Sequence, residues 1–231
     1  MNSSVFQYSF RNQNHSWEEI LVKGQYNLTF PNKWLTEKLN VLKKKNVYPY
    51  LDLGCGFGRH SEPMIKKSYL CVGLDASFTA AHNTYLKCNA NIDSIQGVMK
   101  ELPFKNASFG IVLAWRSLYL QNAENIKHTL SEIKRVLRIG GYFIGCVRST
   151  SNTLYHIAAQ REKMFEPNTF YLHDDEFPGV IYHFFSKYEM IDILKGFKIE
   201  AMRCEALEHT SFTIKYPNYS NDFWVFITRK L

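Results

Sequence analysis

Short apolar runs alternate with longer amphipathic stretches between residues 48 and 147. The runs YPYLDL at 48–53 and CVGLD at 71–75 end at a glycine turn and at an acidic residue, a pattern typical of buried parallel strands. Further strands are predicted at 92–96, 109–114 and 142–147, and the connecting segments are long enough for crossover helices. This alternation predicts the α/β class with a doubly wound parallel sheet.

Two helices are predicted by the spacing of their apolar residues. The first precedes the sheet and ends at the lysines at 43–45; its apolar stripe is Leu35, Leu39 and Leu42. The second lies before the last strand of the alternating region; its stripe is Ile126, Leu130, Ile133 and Leu137. Gly140 and Gly141 are predicted to form the C-terminal stop of this second helix.

After residue 150 the alternation pauses in a segment rich in aromatic residues and histidine, and we interpret 151–186 as an insertion. Such loops often carry the substrate specificity of α/β enzymes. A helix at SKYEMIDILKG and two β-rich segments, FKIEAMRCEAL and DFWVFITRK, follow. We therefore expect one domain over 1–231, with N-terminal elements at 1–45, a core at 47–147, the insertion, and C-terminal elements at 187–231.

The composition excludes several classes of protein. The 231 residues, 45% of them hydrophobic and 15% aromatic, can bury a core without disulfides or metals, which excludes a disordered chain and a small disulfide scaffold. The five cysteines are odd in number and lack CxxC spacing, so we expect a reducing compartment, the cytoplasm, and no zinc site. Neither a signal peptide nor a run of about 18 apolar residues occurs.

The most informative segment is LDLGCGFGRH, which joins the first predicted strand to a helix. Its glycines, Gly54, Gly56 and Gly58, allow a sharp turn and a close approach of the backbone to a ligand. A glycine pattern of this kind is also compatible with an ordinary tight turn between strand and helix. The neighbouring carboxylates therefore decide which ligand is favoured.

Asp52 lies directly before the turn, where its charge would repel a pyrophosphate. The same charge would attract the sulfonium and ammonium groups of S-adenosylmethionine (SAM), by on the order of 1–4 kcal/mol at about 4 Å. Asp75 ends the next strand, where a carboxylate can accept hydrogen bonds from both hydroxyls of a ribose. Asp75 alone fits NAD equally well.

These motifs, followed in order by VGLDAS, ELPF and EIKRVLRIGGYF, resemble those of the class I SAM-dependent methyltransferases over residues 47–147. The resemblance implies a Rossmann-like sheet of seven strands, mostly parallel with the last strand antiparallel, and helices on both faces. It also implies a methyltransferase that uses SAM and releases S-adenosyl-L-homocysteine (SAH). The cofactor-binding residues it implies are Asp52, Gly54, Cys55, Gly56, Gly58, Asp75, Ala76, Ser77, Val98, Met99 and Ala114.

Within that set the glycines would hold the methionine part of SAM, Asp75 the ribose, and Ala76 with Val98 or Met99 the adenine. Two positions depart from the family pattern, because many relatives carry an acid where this chain has Val98 and Gly110. One lost hydrogen bond would weaken cofactor binding by about 0.5–1.5 kcal/mol. We expect looser recognition of the cofactor, with backbone groups near Met99 supplying contacts.

The N-terminal segment is similar to the segments that cap the cofactor in tellurite-resistance methyltransferases. The aromatic and proline residues concerned are Trp17, Tyr26, Pro31 and Trp34. Aromatic rings at this position would shield the sulfonium by cation–π contacts of about 0.5–2 kcal/mol.

The catalytic residues are not identified by any motif. Arg116 and Tyr119 follow the fourth predicted strand and are candidates for facing the transferred methyl group, Arg116 as a clamp for a substrate carboxylate or as part of an internal salt bridge. His173 and His183 flank the aromatic insertion and are candidates for a general base, or else surface or core histidines. The aromatic residues of the insertion fit either a lid over the site or ordinary core.

Two other kinds of site are not expected. The sequence AWRSLY stands where enzymes that methylate exocyclic base amines carry an Asn/Asp-Pro-Pro-aromatic motif. The run HDDE at 173–176 has no distant partner at metal-ligand spacing, so we interpret it as a solvated turn and expect no metal.

The leading hypothesis is therefore a cytoplasmic methyltransferase acting on O, N or S of a small molecule, as a monomer or homodimer, with neither a nucleic acid nor a membrane as partner. An RNA or protein methyltransferase is the alternative, because 28 Lys and Arg against 21 Asp and Glu give a net charge of +7. A SAM-binding module without catalytic activity is the third hypothesis, because the acids at Val98 and Gly110 are missing.

Overall fold

A computed structural model describes residues 17–24, 28, 30–43, 49–162, 164–174, 177–207 and 220–231. Its main sheet has seven strands: β1 Tyr50–Leu53, β2 Cys71–Asp75, β3 Asp93–Gln96, β4 Phe109–Trp115, β5 Leu137–Arg148, β9 Phe197–Ala206 and β10 Asp222–Lys230. A smaller sheet contains β6 Met164–Glu166, β7 Thr169–Asp174 and β8 Phe177–His183. The helices are α1 at 17–22, α2 Lys33–Lys43, α3 Ser61–Ile65, α4 Phe78–Lys87, α5 Ala123–Val136, α6 Thr153–Arg161 and α7 Lys187–Ile193.

The strand order in the main sheet is β3-β2-β1-β4-β5-β10-β9. Strands β1 to β5 pair in parallel, whereas β10 is antiparallel to both of its neighbours, β5 and β9. The order reverses between β1 and β4, and in open α/β sheets ligands bind beyond the carboxyl ends of the strands at such a reversal. The predicted seven-stranded sheet with an antiparallel last strand is confirmed.

Continuous apolar runs form the central strands because both faces of the sheet are covered. Every residue of β4 is buried, and the stripe of α5 that packs on the sheet buries Ile126, Leu130 and Ile133. The three leucines of α2, Leu35, Leu39 and Leu42, are likewise buried. The lysines at 44 and 45 lie outside the described residues, so the end of this helix at the lysine run is described only as far as Lys43.

The prediction that Gly140 and Gly141 end α5 is wrong. The helix ends at Val136, and Leu137 already has an extended backbone with ψ of 138°. Leu137 is fully buried and pairs with Phe109 of β4, so the chain enters the sheet four residues before Gly141. The two glycines lie inside β5, where the pairing with β4 shifts in register and Gly140 has φ of +75°. Burial of Leu137 against the sheet, and not the two glycines, therefore determines where α5 ends.

The insertion contributes α6 and the antiparallel strands β6, β7 and β8. It is attached to the carboxyl ends of the main sheet, because the backbone N–H groups of His183 and Phe185 donate to the carbonyl oxygens of Tyr119 and Arg148. Four of its aromatic side chains are fully buried: Phe170, Tyr182, Phe184 and Phe185. Most of the described aromatic residues of the insertion that the sequence offered as a lid are therefore core.

Among the described residues, no helix combines the length and the apolar character that crossing a membrane requires.

Candidate functional site at the carboxyl edge of the sheet

A cavity of about 230 Å³ lies at the carboxyl ends of β1, β2, β4 and β5. One part of its wall is formed by the turn after β1 and by the ends of β2 and β3. Another part is lined by a cluster of cationic and aromatic side chains: Arg59, Arg116, Arg148, Tyr119 and Tyr182. Helix α1 supplies a further part of the wall through Trp17 and Leu21.

The turn after β1 is built on glycine because its backbone is left-handed at three positions. Gly54, Gly56 and Gly58 have φ of +70°, +55° and +71°. A Cβ atom on Gly54 would lie 2.5 Å from Cβ of Ser117, a separation that atoms do not tolerate. Gly54 and Gly56 line the cavity, whereas Gly58 packs against Thr84 of α4, whose hydroxyl donates to the carbonyl oxygen of Gly56 at 2.7 Å.

Asp75 stands at the end of β2 and holds the turn in place. Its Oδ2 accepts from the backbone N–H of Gly56 at 2.9 Å, and its Oδ1 accepts from that of Ser77 at 3.0 Å. Burial raises the pKa of Asp75, and these backbone donors act in the opposite direction. Each oxygen of a carboxylate accepts two hydrogen bonds, so Asp75 retains acceptor capacity toward the cavity.

Asp52 lies beneath the turn and outside the wall of the cavity. Its side chain is 2% exposed, and its Oδ2 accepts from the hydroxyl of Ser61 at 2.7 Å. Burial raises the pKa of Asp52 to about 6, against the opposing effects of the Ser61 hydroxyl and the Arg59 charge. Asp52 can therefore act on a ligand in the cavity through its electric field only.

The remaining residues that the resemblance implies divide into two groups. Cys55, Ala76, Val98 and Met99 line the cavity. Burial raises the pKa of the Cys55 thiol well above its ordinary value, so this cysteine is an inert part of the wall. Ser77 and Ala114 lie outside the wall: Ser77 caps α4, and Ala114 is fully buried in β4.

Helix α1 is attached to the amino end of α4 by Glu18, which sequence reasoning missed. The carboxylate accepts from the hydroxyls of Ser77 and Thr79, both at 2.5 Å, and from the backbone N–H of Thr79 at 3.3 Å. These contacts hold Trp17 and Leu21 against the cavity. No local signal identifies Glu18, because its partners lie about 60 residues further along the chain.

Trp17 is the residue of the predicted aromatic cap that reaches the cavity among those the structure describes. Trp34 instead lies against Trp115, with ring centroids 6.0 Å apart, and Pro31 also lies outside the wall. Tyr26 is outside the described residues.

Of the candidate catalytic residues, Arg116 and Tyr119 line the cavity and His183 does not. His183 is 1% exposed and is engaged on both sides, with Nδ1 at 2.6 Å from the Thr169 hydroxyl and Nε2 at 2.7 Å from Glu189. The side chain of His173 is outside the described residues, as are positions 175 and 176. Among the residues described, no group of three or more potential ligands is placed to hold a metal ion.

His60 lines the cavity and was not singled out from the sequence. Its Nε2 accepts from the backbone N–H of Asn32 at 3.3 Å, and its ring meets Trp115 edge-on at 5.9 Å. Burial, reinforced by the charges of Arg59 and Arg116, holds the pKa of His60 well below its ordinary value. The imidazole is therefore neutral and carries its proton on Nδ1, which makes it a donor toward its surroundings.

The comparisons with known proteins agree with this geometry. Residues 51–145 match the family described as "Methyltransferase domain". An uncharacterized methyltransferase of Synechocystis sp. is 30% identical over 93 residues, which is 40% of this chain and 43% of that protein. The match to this curated relative thus spans less than half of its length.

Two solved structures illustrate the likeness in fold. A SAM-dependent methyltransferase from Methanosarcina mazei superposes with a TM-score of 0.69 at 21% identity, covering 82% of this chain and 97% of that one. The 1,6-didemethyltoxoflavin-N1-methyltransferase of Burkholderia thailandensis superposes with a TM-score of 0.61 at 15% identity, covering 96% and 85%. Residues 51–145 therefore match the methyltransferase-domain family, and the chain shares the fold of solved SAM-dependent methyltransferases.

Proposed function

We propose that this protein transfers the methyl group of SAM to O, N or S of a small molecule. The observation that carries the proposal is the single cavity whose wall contains both the glycine turn and a cluster of aromatic and cationic side chains. Residues of α1 and of β8 form part of its wall. We therefore expect these elements to enclose the acceptor beside the cofactor. The Burkholderia thailandensis neighbour holds 1,6-didemethyltoxoflavin together with SAH.

In this proposal the cofactor lies against the part of the wall formed by the turn. Gly54 and Gly56 bring the backbone close to the methionine part, and Asp75 accepts from the ribose hydroxyls with its remaining lone pairs. Ala76 and Met99 lie on either side of the adenine. Val98 supplies no acid, so we expect recognition of the adenine amino group to rest on backbone atoms.

The protein's contribution to methyl transfer is to align the acceptor atom with the methyl group and to exclude water. The sulfonium already activates the methyl group, so holding the two reactants in line can account for most of the acceleration. Trp17 and Leu21 cover the cofactor from the side of α1. The four buried cysteines support a reducing compartment such as the cytoplasm.

The test is to incubate the protein with methyl-labelled SAM and a cell extract, and then to separate the products by size and by sensitivity to RNase and protease. We expect the label in the small-molecule fraction, and none in a reaction with Asp75→Ala. Label that disappears with RNase or protease treatment would overturn the proposal in favour of a macromolecular acceptor. Binding of SAH without a labelled product in any fraction would overturn it in favour of a non-catalytic module.

A further inference from the structure

Three arginines lie close together in the wall of the cavity. Arg59 follows the turn after β1, Arg116 follows the last residue of β4, and Arg148 is the last residue of β5. All three line the cavity, and Arg148 is only 6% exposed. Three guanidinium groups, each always charged, therefore share a small and partly desolvated space.

The positive charges act on one another and on their neighbours. Burial and then the charge of Arg116 lower the pKa of Arg59 to about 10. Burial raises the pKa of Cys146 to about 12, and Arg116, Arg59 and Arg148 each oppose that rise. The three arginines thus lie close enough to influence the same thiol group.

Within the described part of the chain, the guanidinium groups of Arg59 and Arg116 are not in contact with a carboxylate, and Asp52 acts on Arg59 only through its electric field. Neither has a hydrogen bond or an ion pair from its side chain to another described residue. Arg116 and Arg148 instead lie over one aromatic ring, that of Phe223, at 4.9 and 5.0 Å from its centroid. A cation–π contact holds the Arg116 guanidinium group in position and leaves its N–H donors available to an anion, whereas Nη1 of Arg148 donates to Oδ1 of Asn221 at 3.2 Å.

The backbone at Arg116 is itself unusual, because this arginine has φ of +63°. A residue with a side chain costs about 1–2 kcal/mol in the left-handed region. The conformation is held by the backbone N–H of Arg116, which donates to the carbonyl oxygen of Cys146 at 2.9 Å. Strain of this kind is concentrated at functional sites, where the surrounding structure maintains it.

The walls beside the arginines are aromatic. Arg148 lies 5.5 Å from the ring centroid of Tyr119 and 5.4 Å from that of Tyr182, and these two rings are 5.7 Å apart. Trp115 and the neutral His60 continue the wall. This part of the cavity therefore offers apolar faces together with an excess of positive charge.

We propose that the methyl acceptor carries an oxyanion, a carboxylate or a phosphate, which Arg59 and Arg116 bind beside the positive charge of Arg148 while its apolar part lies against Tyr119 and Tyr182. Planar guanidinium groups match either oxyanion with paired hydrogen bonds. The inference rests on the proposed function, since it names the acceptor class of the same cavity. Arg59, Arg116 and Arg148 position the acceptor, and none of them needs to move a proton.

The test is direct binding to the SAH-loaded protein and requires no turnover. The probes are benzoate with its neutral counterpart benzamide, and phenyl phosphate with its counterpart phenol, followed by ligand-observed NMR. We expect at least one anion to bind about tenfold or more tightly than its neutral counterpart. Equal binding within both pairs, or no binding of either anion, would overturn the inference and leave methyl transfer to a neutral small molecule standing.

The variants Arg59→Gln and Arg116→Gln each remove one charge from the cavity. We expect each to weaken binding of the preferred anion by about tenfold or more and to leave its neutral counterpart unchanged. Arg229→Gln is the matched control, because Arg229 lies on β10 beside Glu200 and outside the cavity wall, and it should bind the anion as wild type does. Unfolding midpoints measured alongside establish that the variants are folded.

A second readout separates the acceptor from the carboxylate of the cofactor itself. SAH carries an amino-acid group, which 5′-methylthioadenosine lacks. We expect Arg116→Gln and Arg59→Gln to bind both nucleosides as wild type does. Loss of SAH affinity with unchanged 5′-methylthioadenosine affinity would show that the arginines hold the cofactor's carboxylate, and would overturn the inference.

Discussion

Gly54 combines a left-handed backbone with close neighbours on both sides. A Cβ atom there would lie 2.5 Å from Cβ of Ser117 and 2.7 Å from Cε of Met99. Gly140 has a similar φ of +75°, but a Cβ atom on it would meet nothing within 4 Å. A side chain at Gly140 would therefore cost only the strain of the left-handed backbone, whereas a side chain at Gly54 would cost that strain and a steric clash as well.

We predict that Gly140→Ala lowers the free energy of unfolding by about 1–2 kcal/mol through its backbone alone. Gly54→Ala should lower it by about 1–3 kcal/mol more, because Ser117 and Met99 must move, and should also abolish SAH binding. Urea unfolding and isothermal titration measure these effects. Equal destabilisation by the two variants would contradict the prediction that a Cβ atom at position 54 clashes with Ser117 and Met99.

The buried carboxyl group of Asp52 makes the free energy of unfolding depend on pH. Burial raises its pKa from 3.8 to about 6, so the folded protein retains a proton that the unfolded chain releases over this interval. The stabilising proton is lost as the pH rises, and the free energy of unfolding falls between about pH 4 and pH 6. The fall amounts to roughly 3 kcal/mol at most.

We predict that Asp52→Asn removes this fall, since the amide oxygen can still accept from Ser61 and no charge is buried. The variant should gain stability relative to wild type as the pH rises from about 4 to about 7. Urea unfolding at intervals across this range measures the difference, and the other titrating groups, Asp75 among them, are common to both proteins. Parallel pH profiles for the two proteins would refute the assignment to Asp52.

At the scale of elements, α1 forms part of the cavity wall and is held by buried apolar residues, Ile20 and Leu21, and by one polar side chain, Glu18. Glu18 joins α1 to the first turn of α4, where the carboxylate also complements the positive end of the helix dipole. The described part of α1 has six residues, too few for a helix that is stable by itself, so its position depends on contacts with the rest of the fold.

We predict that Glu18→Ala speeds hydrogen exchange of the amides in α1 and weakens SAH binding by about tenfold, because Trp17 and Leu21 no longer cover the cavity. Val22→Ala is the control, since Val22 is exposed on the same helix, and it should leave both quantities unchanged. Hydrogen exchange with mass spectrometry and isothermal titration give the two readouts. Unchanged exchange in Glu18→Ala would show that α1 is held by its apolar contacts alone.

At the scale of the whole molecule, elements from distant parts of the chain close around one cavity: α1, the turns after β1 and β4, and β8 of the insertion. A ligand that binds there stabilises all of them together, because only the folded protein binds it. Along the sequence, the charged residues that give the net charge of +7 do not mark any one place as a binding site. In the folded protein, three arginines bring positive charge together in one cavity.

We predict that SAH at about 100 times its dissociation constant raises the melting temperature by roughly 5–10 °C, which corresponds to about 2.7 kcal/mol for a domain of this size. NAD at the same concentration should cause no shift, because Asp52 lies beneath the turn that would receive its pyrophosphate. Differential scanning calorimetry measures both. A shift with NAD equal to that with SAH would contradict the role given to Asp52.

The local pattern of the sequence determined most of the helices and strands and, within the site, the glycine turn and Asp75. Continuous apolar runs predicted β1, β2 and β4 because these strands are buried on both faces. The glycines of LDLGCGFGRH predicted a sharp turn, which the structure makes with a left-handed backbone that glycine adopts without cost. Asp75 was found because its position at the end of a strand is itself a local feature.

The tertiary structure alone decided how residues distant in the chain meet. Arg59, Arg116 and Arg148 are separated by dozens of residues, and they converge because parallel strands bring their carboxyl ends to one edge of the sheet. Glu18 meets Ser77 because α1 packs at the amino end of α4, and Leu137 leaves its helical stripe because the sheet beside Phe109 buries it. Local patterns record the burial and backbone preference of each residue, whereas the partners of a side chain depend on how the whole chain packs.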